Sequence, residues 1–137
     1  MLAQDAPKLI GSVAKESGLP IKTVRYYEEL GLLNILGRTE GGFRIFDSDV
    51  LVRLSFIKRA QRLGLSLLEI KELLEVHDRG SSPCEDVKVK LTERLSEVDH
   101  QIQQLLLLKG ELEGLLAMQE TEPESFKETI CPIIDHY

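Results

Sequence analysis

Residues 21–46 read IKTVRYYEELGLLNILGRTEGGFRIF, and this stretch decides the fold. Ile21 to about Leu30 has the spacing of a short helix, with Gly31 as its C-terminal stop. Arg25, Tyr26 and Tyr27 fall in its middle. Arg supplies a fixed fork of donors, and Tyr supplies a flat ring with a hydroxyl. Both suit phosphates and base edges. Gly41-Gly42 then permits a tight hairpin between Arg38–Thr39 and Phe43–Phe46. A helix followed by a basic hairpin predicts a unit that reads duplex DNA. The helix would enter the major groove, and Arg38 and Arg44 would stand at the two ends of a wing.

The flanks agree with this reading. Leu9–Ser17 predicts a short helix with Ile10, Val13 and Ala14 inward, ended by Gly18. Pro20 falls at or just before the first turn of the next helix, where a missing N–H costs nothing. Two short helices joined by a Gly-containing turn predict a helix-turn-helix. Downstream, Asp47 or Ser48 is expected to cap a third helix to about Leu63. Its apolar positions Val50, Leu51, Leu54, Ile57 and Ala60 follow helical spacing. Ser66-Leu67-Leu68-Glu69 reads as a capping box that opens a fourth helix, to about Val76, and DRGSSP at 78–83 reads as a loop.

From Cys84 to about Gln119 the pattern predicts one long helix. Leu91, Leu95, Val98, Ile102, Leu105, Leu108, Leu112 and Leu115 step by 4, 3, 4, 3, 3, 4 and 3. This is a coiled-coil stripe with one three-residue slip. A helix of that length spans roughly 50 Å and cannot bury its stripe against the small domain before it. It needs a partner, most simply its own copy. The tail TEPESFKETI is polar and irregular. Cys131-Pro132-Ile133-Ile134 predicts a short terminal helix with Pro at its first position.

The 137 residues carry a net charge of −6, which at first sight disfavours DNA. The distribution reverses that impression. Residues 1–75 hold 11 Lys+Arg against 10 Asp+Glu, a net of +1, whereas residues 76–137 hold 6 against 13, a net of −7. Between Arg38 and Arg62 the bases Arg38, Arg44, Arg53, Lys58, Arg59 and Arg62 face only Glu40, Asp47 and Asp49. A locally basic face of this kind predicts DNA binding with a steep salt dependence. No apolar run reaches the roughly 18 residues of a membrane span, and the N-terminus lacks the pattern of a secretory signal. A cytoplasmic protein is expected, with no membrane partner. Two cysteines, Cys84 and Cys131, are 47 positions apart, and a structural disulfide is not expected in a reducing compartment.

Four ordered blocks, IGSVAKESGL, TVRYYEELGLL, GRTEGGFRIFD and FIKRAQRLGLSLLEIKELL, closely resemble the MerR family of transcription regulators. The match covers roughly residues 9–76, and the long helix and CPII tail extend it. The resemblance implies a mainly α fold: a winged helix-turn-helix joined to a long antiparallel coiled-coil dimerisation helix. It divides the chain into four parts. These are a DNA-binding domain with two accessory helices at 1–76, a loop at 77–83, a dimerisation helix at 84–119, and a C-terminal effector-binding loop and short helix at 120–137. It implies a homodimer on palindromic operator DNA within a promoter. On sensing its signal, the dimer distorts that DNA so that RNA polymerase can engage it. Arg25 and Tyr26 match recognition-helix residues, Lys22 and Thr23 the groove-facing end, and Arg38 and Arg44 wing phosphate contacts. Tyr27 is counted with the DNA-contacting set, with core packing as its alternative. Phe43 and Phe46 replace the family's usual Tyr, which removes a hydroxyl, and Phe46 is read as core.

The resemblance also suggests the signal. Cys84 occupies a position that resembles the ligand Cys of divalent-metal sensors, where the monovalent copper branch usually has Ser. Cys131 followed by Pro-Ile-Ile resembles the C-terminal ligand Cys of the metal-sensing branch. Within one chain the long helix keeps them apart. In the family's antiparallel dimer, Cys84 of one protomer approaches Cys131 of its partner, giving two cross-subunit sites. Both fall at helix N-termini, where thiolate is favoured. Thiolates prefer soft ions.

Metal sensors of this family generally carry a further Cys just after the long helix; here residues 117–121 read AMQET. Two thiolates favour a linear ion, and Hg(II) is the first expectation, ahead of Cu(I), Zn(II) and Cd(II). Zn(II) would need further donors, with His136 a candidate and Asp135, His77, Met118 or water others.

Other readings stand beside this one. Cys84 and Cys131 would also suit a redox-responsive regulator, through an intersubunit disulfide. A third reading is a regulator that answers an organic ligand. His100 is read as a solvated surface residue. An excisionase-like DNA binder would lack the long helix. In a coiled-coil interaction protein, Arg25 would be dispensable. An enzyme is not expected, because no nucleophile–base cluster or phosphate loop is visible.

Overall fold

The structure is a computed structural model that describes residues 6–118 and 129–137. It is mainly helical, as the sequence predicts. The elements are β1 (Lys8–Leu9), α1 (Ile10–Ser17), α2 (Ile21–Glu29), β2 (Ile35–Arg38), β3 (Arg44–Phe46), α3 (Val50–Arg62), α4 (Leu67–Asp78), α5 (Cys84–Ala117) and α6 (Pro132–Asp135). The chain divides into two compact units, Met1–Thr92 and Glu93–Tyr137, and α5 runs from the first into the second.

The first unit is built on the helix-turn-helix. Pro20 is the N-cap of α2, and Gly18 ends α1 in the left-handed region at φ 74°. Val13 of α1 and Val24 of α2 are fully buried, and Ile10 and Ala14 pack against the core beside them. The wing closes on a turn in which Gly42, at φ 84°, donates its N–H to the Thr39 carbonyl at 2.9 Å. The Thr39 hydroxyl oxygen accepts the Phe43 N–H at 3.1 Å, so only Gly42 of the Gly pair needs the glycine-specific conformation.

The wing is a three-stranded antiparallel sheet in the order β1-β3-β2, with Ile35 and Lys8 both opposite Phe46. The sequence reading anticipated two strands. Its first wing strand begins earlier, at Ile35, with a register shift between Ile35 and Gly37. β1 is two residues long, too short for any period-two pattern to announce it.

Helix α3 begins later than the sequence suggests. Its N-cap is Asp49, which makes no capping bond with its side chain, and neither Asp47 nor Ser48 takes that role. The Ser48 hydroxyl is spent on the Asp47 carboxylate at 3.3 Å. The expected stripe is sound: Val50, Leu54, Ile57 and Ala60 are buried and Leu51 packs against them. The capping box of α4 has both of its bonds, Glu69 N–H to Ser66 Oγ at 3.1 Å and Ser66 N–H to Glu69 Oε1 at 3.0 Å. That cap, with Ile70, Leu73 and Leu74 buried, fixes α4 against α3.

The first two turns of α5 belong to this unit. Val87 packs on the core, and Leu91 lines an apolar cleft with Phe56, Leu63, Leu65 and Leu73. Lys90 reaches Glu72 at 2.6 Å. Leu91, the first residue of the expected coiled-coil stripe, is therefore partly engaged by its own head domain. In the second unit, Tyr137 Oη donates to the Glu111 carboxylate, which ties the chain end to α5. Leu95, Ile102, Leu105, Leu108 and Leu112 lie exposed along α5. Among the described residues, no helix is long and apolar enough to cross a membrane.

Candidate nucleic-acid interface and thiol positions

The recognition helix is two-faced for a simple reason of period. Lys22, Arg25, Tyr26 and Glu29 step by three, one and three positions, and all are exposed. Thr23, Val24, Tyr27 and Glu28 turn the other way and are buried or half-buried. Of the expected DNA-contacting set, Lys22, Arg25 and Tyr26 thus share one open face. Thr23 is half-buried at the helix start, where its N–H donates to the Pro20 carbonyl at 3.0 Å. Tyr27 packs against the core and its hydroxyl donates to Gln61 Oε1 at 3.2 Å. Tyr26 and Tyr27 stand in tilted ring contact at 6.3 Å.

The two wing arginines differ. Arg38 is exposed, and its Nη1 donates to the Gly42 carbonyl at 2.9 Å, which holds it across the hairpin turn. Arg44 is drawn inward: its Nε donates to Glu28 at 3.1 Å and its Nη2 to Glu29 at 3.3 Å. The wing is thereby clamped to the recognition helix by two charge-assisted bonds. Phe46 is fully buried, as its core reading requires, whereas Phe43 is exposed at the wing tip with its ring over Gly41.

Sequence reasoning missed Arg53. It was counted with the basic face, but its side chain is only 2% exposed. Its Nε donates to the Leu32 carbonyl at 2.9 Å, and Nη1 and Nη2 donate to the two oxygens of Asp78 at 2.6 and 3.3 Å. Asp49, one turn earlier on α3, lies 3.9 Å from Nη1. Burial holds the Asp49 carboxyl above the usual carboxylate range. The charges of Asp47 and Asp78 push the same way, against Arg53 and His77. A signal was available. Arg53 sits three positions after Val50 and one before Leu54, inside the apolar stripe, and a charge there must find a buried partner.

The thiols are both free. Cys84 is exposed at the first residue of α5, and its N–H donates to Ser82 Oγ at 3.5 Å. Cys131 is half-buried at the N-cap of α6, where one Asp135 oxygen accepts the N–H groups of Ile130 and Cys131 at 2.7 and 3.0 Å. That carboxylate oxygen is committed to the backbone. His136 is exposed. Among the described residues of a single chain, no three His, Cys, Asp or Glu side chains converge on a point that could hold a metal ion. Residues 119–121, part of the stretch where the expected further Cys is absent, lie outside the described residues, as does most of the polar tail.

A short helix with an open Lys-Arg-Tyr face, a wing clamped beside it and a long helix with an exposed apolar stripe define a winged helix-turn-helix DNA-binding protein. The sequence profiles described as "MerR HTH family regulatory protein" and "MerR, DNA binding" match residues 9–76 and 51–115. The mercuric resistance operon regulatory protein of Bacillus cereus is 36% identical over 126 residues, 92% of this chain and 93% of that protein. The transcription regulator PbrR691 of Ralstonia metallidurans CH34, solved in complex with lead(II), superposes with a TM-score of 0.76 at 32% identity, covering 93% of this chain and 96% of its own. HiNmlR, a MerR family regulator solved bound to promoter DNA, gives a TM-score of 0.53 at 29% identity over 82% of this chain and 89% of its own. The chain belongs to the MerR family and is a DNA-binding transcription regulator.

Proposed function

We propose that the protein is a homodimeric regulator that senses a thiophilic metal ion, Hg(II) first, and distorts promoter DNA so that RNA polymerase can start transcription. The observation that carries this is the thiol pair. Cys84 opens α5, and Cys131 caps α6, which Tyr137 anchors beside Glu111 on the same long helix. Antiparallel pairing of two α5 helices brings Cys84 of one protomer to the end where the partner's α6 is held. Likeness to the Bacillus cereus mercuric regulator over nearly the full chain supports the same reading.

The residues fit a soft ion of low coordination number. Two thiolates are strong ligands for Hg(II) or Cu(I). The Asp135 oxygen beside Cys131 is already bonded to two backbone amides. Zn(II) or Cd(II) would require a third or fourth donor, for which exposed His136 is the available side chain. Bound by both thiolates, the ion would join the two protomers at that end. Lys22, Arg25, Tyr26 and Arg38 would take the operator contacts, with Arg44 positioning the wing.

The test is metal titration of the reduced protein with Hg(II), Cu(I), Zn(II), Cd(II) and Pb(II), with Cys84→Ser and Cys131→Ser as controls. Tight binding of one ion per site, lost in either variant, is expected. Binding that survives both substitutions, or no binding beyond that of the variants, overturns the thiolate sensor. The second result would leave oxidation to an intersubunit disulfide or an organic ligand as the signal.

A further inference from the structure

The Arg53 guanidinium faces two carboxylates and hydrogen-bonds only one of them. Asp78 accepts two bonds from it, while the Oδ1 atom of Asp49 is buried without a hydrogen-bond partner, and Asp49 Oδ2 stands 3.9 Å from Arg53 Nη1. A buried acceptor with nothing to accept is costly. The donor that bonds Asp78 thus stands within ion-pair distance of a second carboxylate that carries an unsatisfied oxygen.

The two partners hold different parts of the molecule. Asp49 is the N-cap of α3, so a bond from Arg53 to Asp49 stays within one helix and its cap. Asp78 is the last residue of α4, six positions before Cys84. The third partner, the Leu32 carbonyl, lies between the recognition helix and the first wing strand. With Arg53 on Asp78, the segment that leads to Cys84 is bolted through one guanidinium to the joint between helix and wing. With Arg53 on Asp49, that bolt is open. Exchange of one guanidinium between acceptors on different elements is the kind of discrete two-state link that coupling between distant sites needs physically.

We propose that Arg53 is the positioning residue through which the Cys84 end of the head and the DNA-reading joint at Leu32 influence one another, by exchange of its guanidinium between Asp78 and Asp49. The proposal rests on the reading of the chain as a regulator whose signal enters near Cys84, but its test needs no metal.

The experiment is hydrogen exchange of the full-length protein, followed by mass spectrometry. It is run free and bound to a duplex enriched from a random pool by the same protein. Wild type, Asp78→Asn and Asp49→Asn are compared. Loss of the Asp78 charge should speed exchange of residues 79–84 by about tenfold, in line with loss of a charge-assisted bond. It should also speed exchange of residues 32–35, across the fold from the substitution.

Asp49→Asn removes the competing charge, so residues 79–84 should exchange more slowly than in wild type. Duplex binding should change exchange at 79–84 in wild type and leave it unchanged in Asp78→Asn, a response that a purely stabilising ion pair would not erase. If Asp78→Asn loosens 79–84 alone, or if its duplex response persists, Asp78 is a local clasp and the coupling is refuted. If Asp49→Asn exchanges at the wild-type rate or faster, the exchange between acceptors is refuted, even should Asp78→Asn fail to fold. A protein that enriches no duplex overturns the regulator reading separately, and the comparison of free proteins still decides the exchange.

Discussion

Leu105→Ala is expected to weaken self-association of the full chain by about two orders of magnitude. Leu105 is 64% exposed on α5 in the single chain, and the step pattern of the stripe places it at the centre of the pairing face. Truncation to Ala removes about three carbon centres, at about 0.8 kcal/mol each when buried. Scaled by the fraction left open in one chain, this gives about 1.5 kcal/mol per protomer. Twofold symmetry counts the loss on both protomers, for about 3 kcal/mol and a roughly 100-fold rise in Kd. Sedimentation equilibrium over a wide concentration range reads that Kd directly. The control is Leu107→Ala. Leu107 is more exposed, at 71%, but off the stripe, so its truncation should leave Kd within about threefold. An unchanged Kd for Leu105→Ala, or an equal loss for Leu107→Ala, would refute the register of the helix pairing.

Other outcomes follow from single interactions. Arg25→Ala should weaken operator binding by about 1–3 kcal/mol in a filter or anisotropy assay while the dimer persists. Arg44→Ala should leave Glu28 and Glu29 unpaired, Glu29 on the open face of the recognition helix, and Glu29→Gln in that background should restore part of the affinity lost; no recovery would dismiss the clamp. Ser66→Ala should cost about 1 kcal/mol in chemical denaturation through loss of the α4 cap. Asp49→Asn should stabilise the fold at neutral pH by no more than about 0.5 kcal/mol, since this carboxylate is 40% exposed and partly screened. The sign follows from its raised pKa. Folding favours the protonated form, so that contribution is complete below the unfolded-state value of about 3.9 and is lost as pH rises through the higher folded value. The advantage of Asn should therefore vanish on acidification.

Much of this molecule was legible before the structure because its signals are local. Gly18, Pro20 and Gly31 punctuate the helix-turn-helix, and the Ser66–Glu69 box starts α4 where the motif says. What escaped depends on partners distant in sequence. β1 exists only because residues 44–46 offer it an edge. Arg53 reads as one more base in a basic segment until Leu32 and Asp78, 21 and 25 positions away, are brought to it. The ion pairs of Arg44 likewise appear only once α2 places Glu28 and Glu29 beside it. The different fates of the two Phe rings, Phe46 buried and Phe43 exposed at the wing tip, emerge only from the folded hairpin.

Pairing, rather than the sum of charges, explains how an acidic chain carries a DNA-reading head. Two of the bases in the 38–62 segment are consumed internally, Arg44 by Glu28 and Glu29, and Arg53 by Asp78. Lys22, Arg25 and Arg38 remain exposed on the recognition helix and wing. Counterion release on B-DNA scales with the phosphates actually neutralised, at a slope of about 0.9 each. The salt dependence should therefore reflect the exposed cations and leave out the clamped ones. The acid has a different address. Within α5, Glu111 and Glu113 flank Leu112 of the apolar stripe. Their charge falls on the flanks of that stripe. There it opposes indiscriminate association of exposed leucines through like-charge repulsion.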